Sequence, residues 1–252
     1  MLERLRRHPL PIVAHFRHSL VLTFAFPQAV LEPLVPRGLA LDTFGPFGFA
    51  AVALVQTERL RPAFMPARLG TSFFLSGYRV FVRQAGSSSL RGLFILRSDT
   101  DRRSMARLGN VLTHYGYRLA AVAVSEPGHA LEVVVRTPRA EADLHVVADL
   151  STAGAALPPG SPFDTLEEAR RYAGPLPYTF GYEASTGSLV VVRAVRTAWE
   201  PRPVHVEVQE ATFFGREPFA GSEPILANAF HVADVDYRWE RAVVVPAVSS
   251  VR

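Results

Sequence analysis

The sequence predicts a mainly β protein (α+β) with a few short helices. Segments with strand patterns alternate with Gly and Pro turn residues along nearly the whole chain. Helical periodicity occurs in only a few short stretches. The 252 residues are 48% hydrophobic and 20% charged, which provides enough apolar surface for one large all-β domain. We therefore expect a single domain over residues 1–252.

The predicted strands number about ten, with turn residues between them. The part 47–55 is apolar at odd and even positions alike. A strand of this kind is covered on both faces, either because the sheet closes on itself or because a second layer lies over it. In chain order the predicted strands are 19–26, 47–57, 71–83, 90–97, 117–124, 130–136, 143–150, 188–197, 203–209 and 241–245.

Helices are predicted where apolar residues recur at helical spacing. The second of them places Met105, Leu108 and Leu112 on one face, and Asp99 or Thr100 is available as its N-cap. The third begins with an Asp-Thr cap. The predicted helices are 28–34, 101–113 and 164–172, with a short turn near 223–229; the Ala-, Gly- and Pro-containing stretch 151–162 is predicted to be a loop.

The chain has no lysine and no cysteine, so all 27 basic side chains apart from histidine are arginines. Without a side-chain amine, no Schiff base can form with pyridoxal phosphate or with a carbonyl substrate. A Walker-type phosphate loop lacks its lysine. The absence of cysteine excludes disulfides, thiolate nucleophiles and zinc-thiolate sites. We expect no cofactor and no metal.

The net charge is +4 and the isoelectric point is about 9.8, but the arginines are mostly spread along the chain. This distribution does not predict nucleic-acid binding. The apolar run at 10–14 is too short for a signal-peptide core, and no run reaches the roughly 20 residues of a membrane span. We therefore expect a cytoplasmic protein without membrane association.

Arg79 is the most informative candidate for a binding site. Strand alternation puts it on the same face as Phe73, Leu75, Gly77 and Phe81. A charge on an apolar face has to be paired or has to meet a ligand, because an unpaired buried charge is costly. Its planar guanidinium suits a carboxylate. Two interpretations remain open, a ligand site and an internal salt bridge, for example to Glu58.

Several histidines and one tyrosine are further candidates. His231 lies near Asp234 and Asp236, where it could act as a base or hydrogen-bond across a sheet. His15 and His18 have helical metal-site spacing, but their segment is extended and no third ligand is near. Tyr115 follows His114 at the end of the second predicted helix. Glu58, Tyr115 and His231 are therefore candidate companions of Arg79 for hydrogen bonding or proton transfer.

The order and spacing of several segments resemble the YqjF-like proteins of the acetoacetate decarboxylase-like superfamily. The matching pieces are residues 34–42, the strand 47–55, residues 79–82, residues 92–99 with the Arg-rich helix after them, and residues 166–172. The resemblance implies a mostly antiparallel β-barrel or cone around an apolar cavity, assembled as a homo-oligomer.

The resemblance also implies which chemistry is absent. The decarboxylases of this superfamily use a lysine imine beside acidic residues, and this chain has no lysine. Related proteins often carry Glu-x-Asn-x-Arg on the strand that corresponds to 71–83, where this chain has Leu75, Gly77 and Arg79. Only the arginine is kept. We therefore expect a small carboxylate or carbonyl compound to bind at Arg79, with any catalysis independent of lysine; a non-catalytic binding or regulatory protein is the alternative.

Overall fold

The computed structural model describes residues 5–86, 90–151, 156–197 and 199–247. Within these residues the chain forms sixteen strands. They are β1 (Ile12–Pro27), β2 (Leu39–Leu41), β3 (Thr43–Phe44), β4 (Phe47–Pro62), β5 (Thr71–Gln84), β6 (Arg91–Thr100), β7 (Tyr117–Leu119), β8 (Ala121–Ser125), β9 (Ala130–Arg136), β10 (Leu144–Asp149), β11 (Tyr178–Glu183), β12 (Ser188–Arg196), β13 (Arg202–Pro203), β14 (His205–Ala211), β15 (Ile225–Trp239) and β16 (Val243–Pro246).

Most strands belong to one strongly curved sheet. Its order is β13, β15, β1, β4, β5, β6, β11, β12, β16, and β12 also pairs with β15 through Ala194 and Trp239 at one end of their contact. This second pairing joins the two ends of the path from β15 to β12, so that the sheet forms a cone. Neighbours are antiparallel except where β6 pairs with β7 and β11. The predicted mainly antiparallel cone or barrel is confirmed.

A second sheet, in the order β14, β10, β9, β8, packs on the outside of the cone. Even-numbered residues of β1, β4 and β5, such as Leu22, Val52 and Val80, contribute to the core between the sheets. The second sheet contributes Val133 and Val146. Odd-numbered residues in the central parts of the same three strands, such as Val21, Ala53 and Leu75, line the interior of the cone. The two-sided burial expected for 47–55 is therefore due to a curved sheet with a second layer over it.

In the described part of the chain, three short α-helices pack on the sheets: α1 (Gln28–Leu31), α2 (Arg103–Leu112) and α3 (Leu166–Ala173). Short 3-10 turns lie at Glu32–Leu34, Ala67–Leu69 and Thr212–Gly215. Thr165 caps α3 as expected, since its side chain accepts a hydrogen bond from the backbone N–H of Glu168 at 3.1 Å. The N-caps expected for α2 are wrong because β6 extends through Asp99 and Thr100, and the helix begins only after Arg102.

Two other predictions about local structure are wrong. Residues 225–229, expected in a turn, form the start of β15, where Ala227 and Ala229 are buried and the strand pairs with β1. Backbone pairing to a neighbouring strand overrides the weak local signal. The single strand expected at 117–124 is broken at Ala120, because β7 pairs with β6 in the cone while β8 pairs with β9 in the second sheet.

A buried ion pair lies at the junction of the two sheets. Arg97 donates from Nε and Nη2 to the carboxylate of Asp99 at 2.8 to 3.0 Å. Its Nη1 donates to Glu141 at 2.8 Å, and Glu141 also accepts from the exposed Arg118 at 2.7 Å. The Arg97 side chain is 6% exposed and the Asp99 side chain 0%. Through the contact of Arg97 with Glu141, the pair connects the end of β6 to the loop before β10.

We expect Arg97→Met to lower the free energy of unfolding by about 3 kcal/mol, because it leaves the buried Asp99 charge without its partner. Arg118→Met is the matched control: it removes the other arginine bound to Glu141 at an exposed position and should have a much smaller effect. Urea unfolding of the three proteins measures the difference. An equal decrease in the free energy of unfolding of both variants would show that the buried Arg97–Asp99 pair contributes no more to stability than the exposed contact of Arg118.

Candidate functional site

The interior of the cone contains a cavity of about 400 Å³. Every strand on the closed path from β15 through β1, β4, β5, β6 and β11 to β12 contributes lining residues, and α2 lies across one end. Most of the wall is aliphatic or aromatic. Cavities of this size and character are typical of small-molecule sites.

Arg79 points into this cavity from β5. Phe73, Leu75 and Phe81 of the same strand line it too, as the predicted alternation requires. Opposite Arg79 the register shifts, so that Tyr78 pairs with Arg97 and Arg79 with Ile95. This β-bulge on β6 bends the sheet locally beside the guanidinium. A Cβ at Gly77 would lie 3.0 Å from Nη2 of Arg79, so glycine at this position leaves room for the arginine head.

The charge of Arg79 has no counter-ion in the described structure. Within the described ranges, no Asp or Glu lines the cavity, and no ion pair or hydrogen bond of the Arg79 guanidinium is found. Its Nε is buried without a hydrogen-bond partner among those residues. Burial lowers the pKa of Arg79, and the nearby Arg196 lowers it further, against three surrounding tyrosines. An arginine remains protonated under these conditions, so the cavity holds a positive charge.

Other donors converge on the same space. The hydroxyl of Tyr115 and Nε1 of Trp199 are also buried without hydrogen-bond partners in the described residues. Burial raises the pKa of Tyr115 and of Tyr117 above the usual range, so both phenols stay protonated. An arginine and a tryptophan side chain can only donate hydrogen bonds, and a protonated phenol can donate one. The cavity therefore presents unsatisfied donors that suit a ligand with acceptor oxygens.

An aromatic cluster forms the wall beside β12. The ring of Tyr237 stacks on Phe16 with centroids 4.6 Å apart and contacts Trp239 at 4.5 Å. The guanidinium of Arg196 lies 4.5 Å from the Trp199 ring centroid and donates to the backbone oxygen of Leu176 at 2.6 Å. Arg196 is thus held by its own contacts, in contrast to Arg79.

His8 is the one imidazole among the described residues that line the cavity. Burial lowers its pKa, against hydrogen bonds with backbone groups, so the ring is neutral at pH 7. Its Nδ1 is buried without a hydrogen-bond partner in the part of the chain that the structure describes. The backbone of His8 is fixed by pairing to Leu112 and Ala242. A neutral imidazole with a free nitrogen can accept a proton.

Two of the four residues predicted as site residues line the cavity, and two lie elsewhere. Arg79 and Tyr115 are lining residues. Glu58 lies on β4 between Thr57 and Arg59, outside the lining, because the alternation that turns Thr57 inward turns Glu58 away. The suggested salt bridge between Glu58 and Arg79 is therefore not formed.

His231 also lies outside the cavity, because Phe230 occupies the inward position on β15. Its Nε2 is 3.0 Å from Nδ1 of His18. Burial and the nearby His18 lower the pKa of His231 to about 4. His15 contacts Asp236 at 3.0 Å. These histidines belong to a polar cluster on the outer face of β1 and β15, and no group of three or more His, Asp or Glu among the described residues is arranged to hold a metal ion.

Several lining residues were missed by sequence reasoning. Tyr237 and Trp239 alternate on β15, a signal that could have marked an inward aromatic face. Tyr115 and Tyr117 flank Gly116, whose φ of 62° makes the turn that brings both rings to the cavity. His8 and Trp199 carry no signal in sequence, because they lie outside the strands, His8 before β1 and Trp199 between β12 and β13. No helix in the described part of the chain is long and apolar enough to cross a membrane.

One family of known proteins matches most of the chain. Its sequence profile, described as an uncharacterized conserved protein (DUF2071, COG2071), matches residues 13–235. The chain belongs to the DUF2071 family. None of the curated proteins matches it. The predicted resemblance to the YqjF-like (COG2071) family is confirmed by this match.

Solved structures with the same fold share little sequence with this DUF2071 protein. An acetoacetate decarboxylase-like enzyme from Sphingomonas wittichii RW1 has 15% identity and a TM-score of 0.61, over 97% of this chain and 96% of that one. Acetoacetate decarboxylase from Legionella pneumophila has 13% identity and a TM-score of 0.61, over 94% and 88%. The enduracididine biosynthesis enzyme MppR complexed with pyruvate has 10% identity and a TM-score of 0.60, over 94% and 90%. These likenesses establish the fold.

We expect Arg79→Met to raise the free energy of unfolding of the DUF2071 protein by about 1 to 2 kcal/mol in the absence of ligand, because it removes an unpaired charge and keeps an apolar stem. Arg83→Met is the matched control, since Arg83 lies exposed on the same strand. Urea unfolding of both variants and the wild type tests this. A destabilised Arg79→Met protein would mean that the guanidinium has a structural partner.

Proposed function

We propose that this protein binds a small organic carboxylate or carbonyl compound inside the cone, with the acceptor oxygens at Arg79. The observation that carries the proposal is the unpaired guanidinium in a cavity whose described lining holds no acid. A buried charge of this kind is costly in the empty protein, so its retention favours a role in ligand binding. A carboxylate would supply the missing counter-charge.

The neighbouring donors support the same ligand chemistry. A carboxylate has two oxygens with several lone pairs, so it can accept from Arg79 and Tyr115 together. The apolar walls would cover the rest of the molecule and exclude water, which strengthens the ion pair. Among the proteins with this fold, MppR is described in complex with pyruvate. That precedent concerns MppR and agrees with the ligand class proposed here.

We expect monocarboxylates and keto acids to raise the melting temperature of the wild-type protein by about 5 °C at concentrations well above Kd. Arg79→Met should lose this shift, because the counter-charge is gone, while Arg83→Met should keep it. A thermal-shift screen of short carboxylates, keto acids and their amides measures the effect. Equal shifts in wild type and Arg79→Met would contradict the proposal.

His8 supports a second candidate, a lysine-independent proton-transfer enzyme. A neutral imidazole in the cavity could remove a proton from the carbon next to a bound carbonyl group, while Arg79 stabilises the enolate charge that forms. The proton passes to the imidazole and returns from it, so no co-reactant is needed. Binding without catalysis remains the first proposal, because no acid accompanies the imidazole in the described lining.

The two candidates differ in deuterium exchange. If His8 transfers protons, a keto acid incubated with the protein in D₂O should gain deuterium next to its carbonyl, and His8→Gln should slow this exchange at least about a hundredfold. Proton NMR follows the loss of signal, with Arg79→Met as a second negative control. If deuterium exchange in the presence of the protein is no faster than in buffer alone, the proton-transfer candidate is excluded and binding without catalysis remains.

A further inference from the structure

The cavity opens to the surface through an apolar mouth. Leu10, Leu69 and Leu108 line the cavity and are nevertheless 41%, 57% and 55% exposed. They come from three separate segments: the N-terminal stretch before β1, the turn between β4 and β5, and α2. Phe64, in the same turn as Leu69, is 75% exposed. Apolar side chains that border an opening from several directions form an entrance for an apolar molecule.

Arg79 lies in the buried part of the same cavity. Its Nε is fully buried, whereas the mouth residues contact solvent, so the cavity runs from an interior charge to an apolar opening. The other two lining arginines are already engaged. Arg61 donates to the backbone oxygens of Met65 and Arg59 at 3.0 and 2.9 Å, and Arg196 donates to Leu176. The polar end of a ligand is therefore drawn to Arg79 and its apolar part to the mouth.

The volume indicates how large that apolar part is. At about 400 Å³ the cavity lies within the range of roughly 300 to 1,000 Å³ that is typical of pockets for drug-sized molecules. A ligand as small as pyruvate would leave part of this space empty or filled with water against apolar walls. Each methylene that replaces water on such a wall contributes favourably to binding.

We infer that the natural ligand is an amphiphilic monocarboxylate of medium chain length, bound with its carboxylate at Arg79 and its hydrocarbon part along the cavity towards Leu69 and Leu108. This inference rests on the proposed function and makes it specific for the class of ligand. The alkyl or aryl part contacts aliphatic residues of α2 and the β4–β5 turn. Arg79 neutralises the carboxylate, whereas the described lining has no acid that would neutralise a cationic group.

The chain supplies its own reporter for a test. It has two tryptophans, Trp199 and Trp239, and both line the cavity. Intrinsic tryptophan fluorescence can therefore follow titrations with butanoate, octanoate and dodecanoate below their micelle concentrations. We expect the affinity to rise roughly three- to fourfold for each added methylene until the chain reaches the mouth. Octanol, which matches octanoate without the charge, should bind more weakly.

Two sets of variants test the carboxylate end and the alkyl end of the ligand separately. Arg79→Met should weaken octanoate binding strongly and octanol binding little, with Arg83→Met as the control. The double variant Leu69→Ser and Leu108→Ser should weaken dodecanoate binding severalfold more than butanoate binding. Since both leucines are more than half exposed, this variant should fold, and circular dichroism checks it.

The outcomes distinguish the two levels of the claim. If pyruvate and butanoate bind through Arg79 but affinity does not increase with chain length, the inference about chain length is overturned and the proposed function stands. If no carboxylate of any length binds in an Arg79-dependent manner, the proposed function fails and the inference fails with it. A length-dependent affinity that needs both Arg79 and the mouth residues supports both.

Discussion

Successive side chains of β5 point to opposite faces of the sheet, and both faces are covered by protein. This alternation determines where the groups of the site lie. Tyr78 and Val80 pack towards the second sheet, so Arg79 has to face the interior of the cone. Neither face opens to bulk solvent, which leaves the guanidinium no route to water except through the cavity. The bulge on β6 and the absence of a side chain at Gly77 accommodate its head. The same alternation on β4 and β15 turns Glu58 and His231 away, so that no described acid or second imidazole accompanies the charge from those strands.

Local pattern predicted the strand that carries Arg79, its inward face and the cap of α3, because each depends on a few neighbouring residues. It could not predict the closure of the cone, since the pairing of Ala194 with Trp239 joins segments far apart in sequence. The break at Ala120 depends in the same way on which sheet each half joins. Of the site, Arg79 and Tyr115 were predicted, whereas His8 and Trp199 reach the cavity only through the tertiary arrangement of segments outside the strands.

The absence of lysine limits the chemistry that groups inside the cone can perform. The fold is that of acetoacetate decarboxylase-like proteins, yet no side-chain amine is available for an imine. In this chain a permanently charged, planar guanidinium lies inside the cone. Unlike an amine, it cannot form a covalent bond to a carbonyl, but it can hold a carboxylate or stabilise an enolate by charge and geometry. The unsatisfied donors of Tyr115 and Trp199 extend that preference for acceptor oxygens.

The central claim is that Arg79 meets the acidic group of a ligand inside the cone. The most direct test is a crystal structure of the protein with octanoate. The account predicts both carboxylate oxygens within about 3 Å of guanidinium nitrogens of Arg79 and the alkyl chain directed towards Leu69 and Leu108. An octanoate bound with its carboxylate at Arg61 or outside the cone, with Arg79 paired to protein groups, would contradict it.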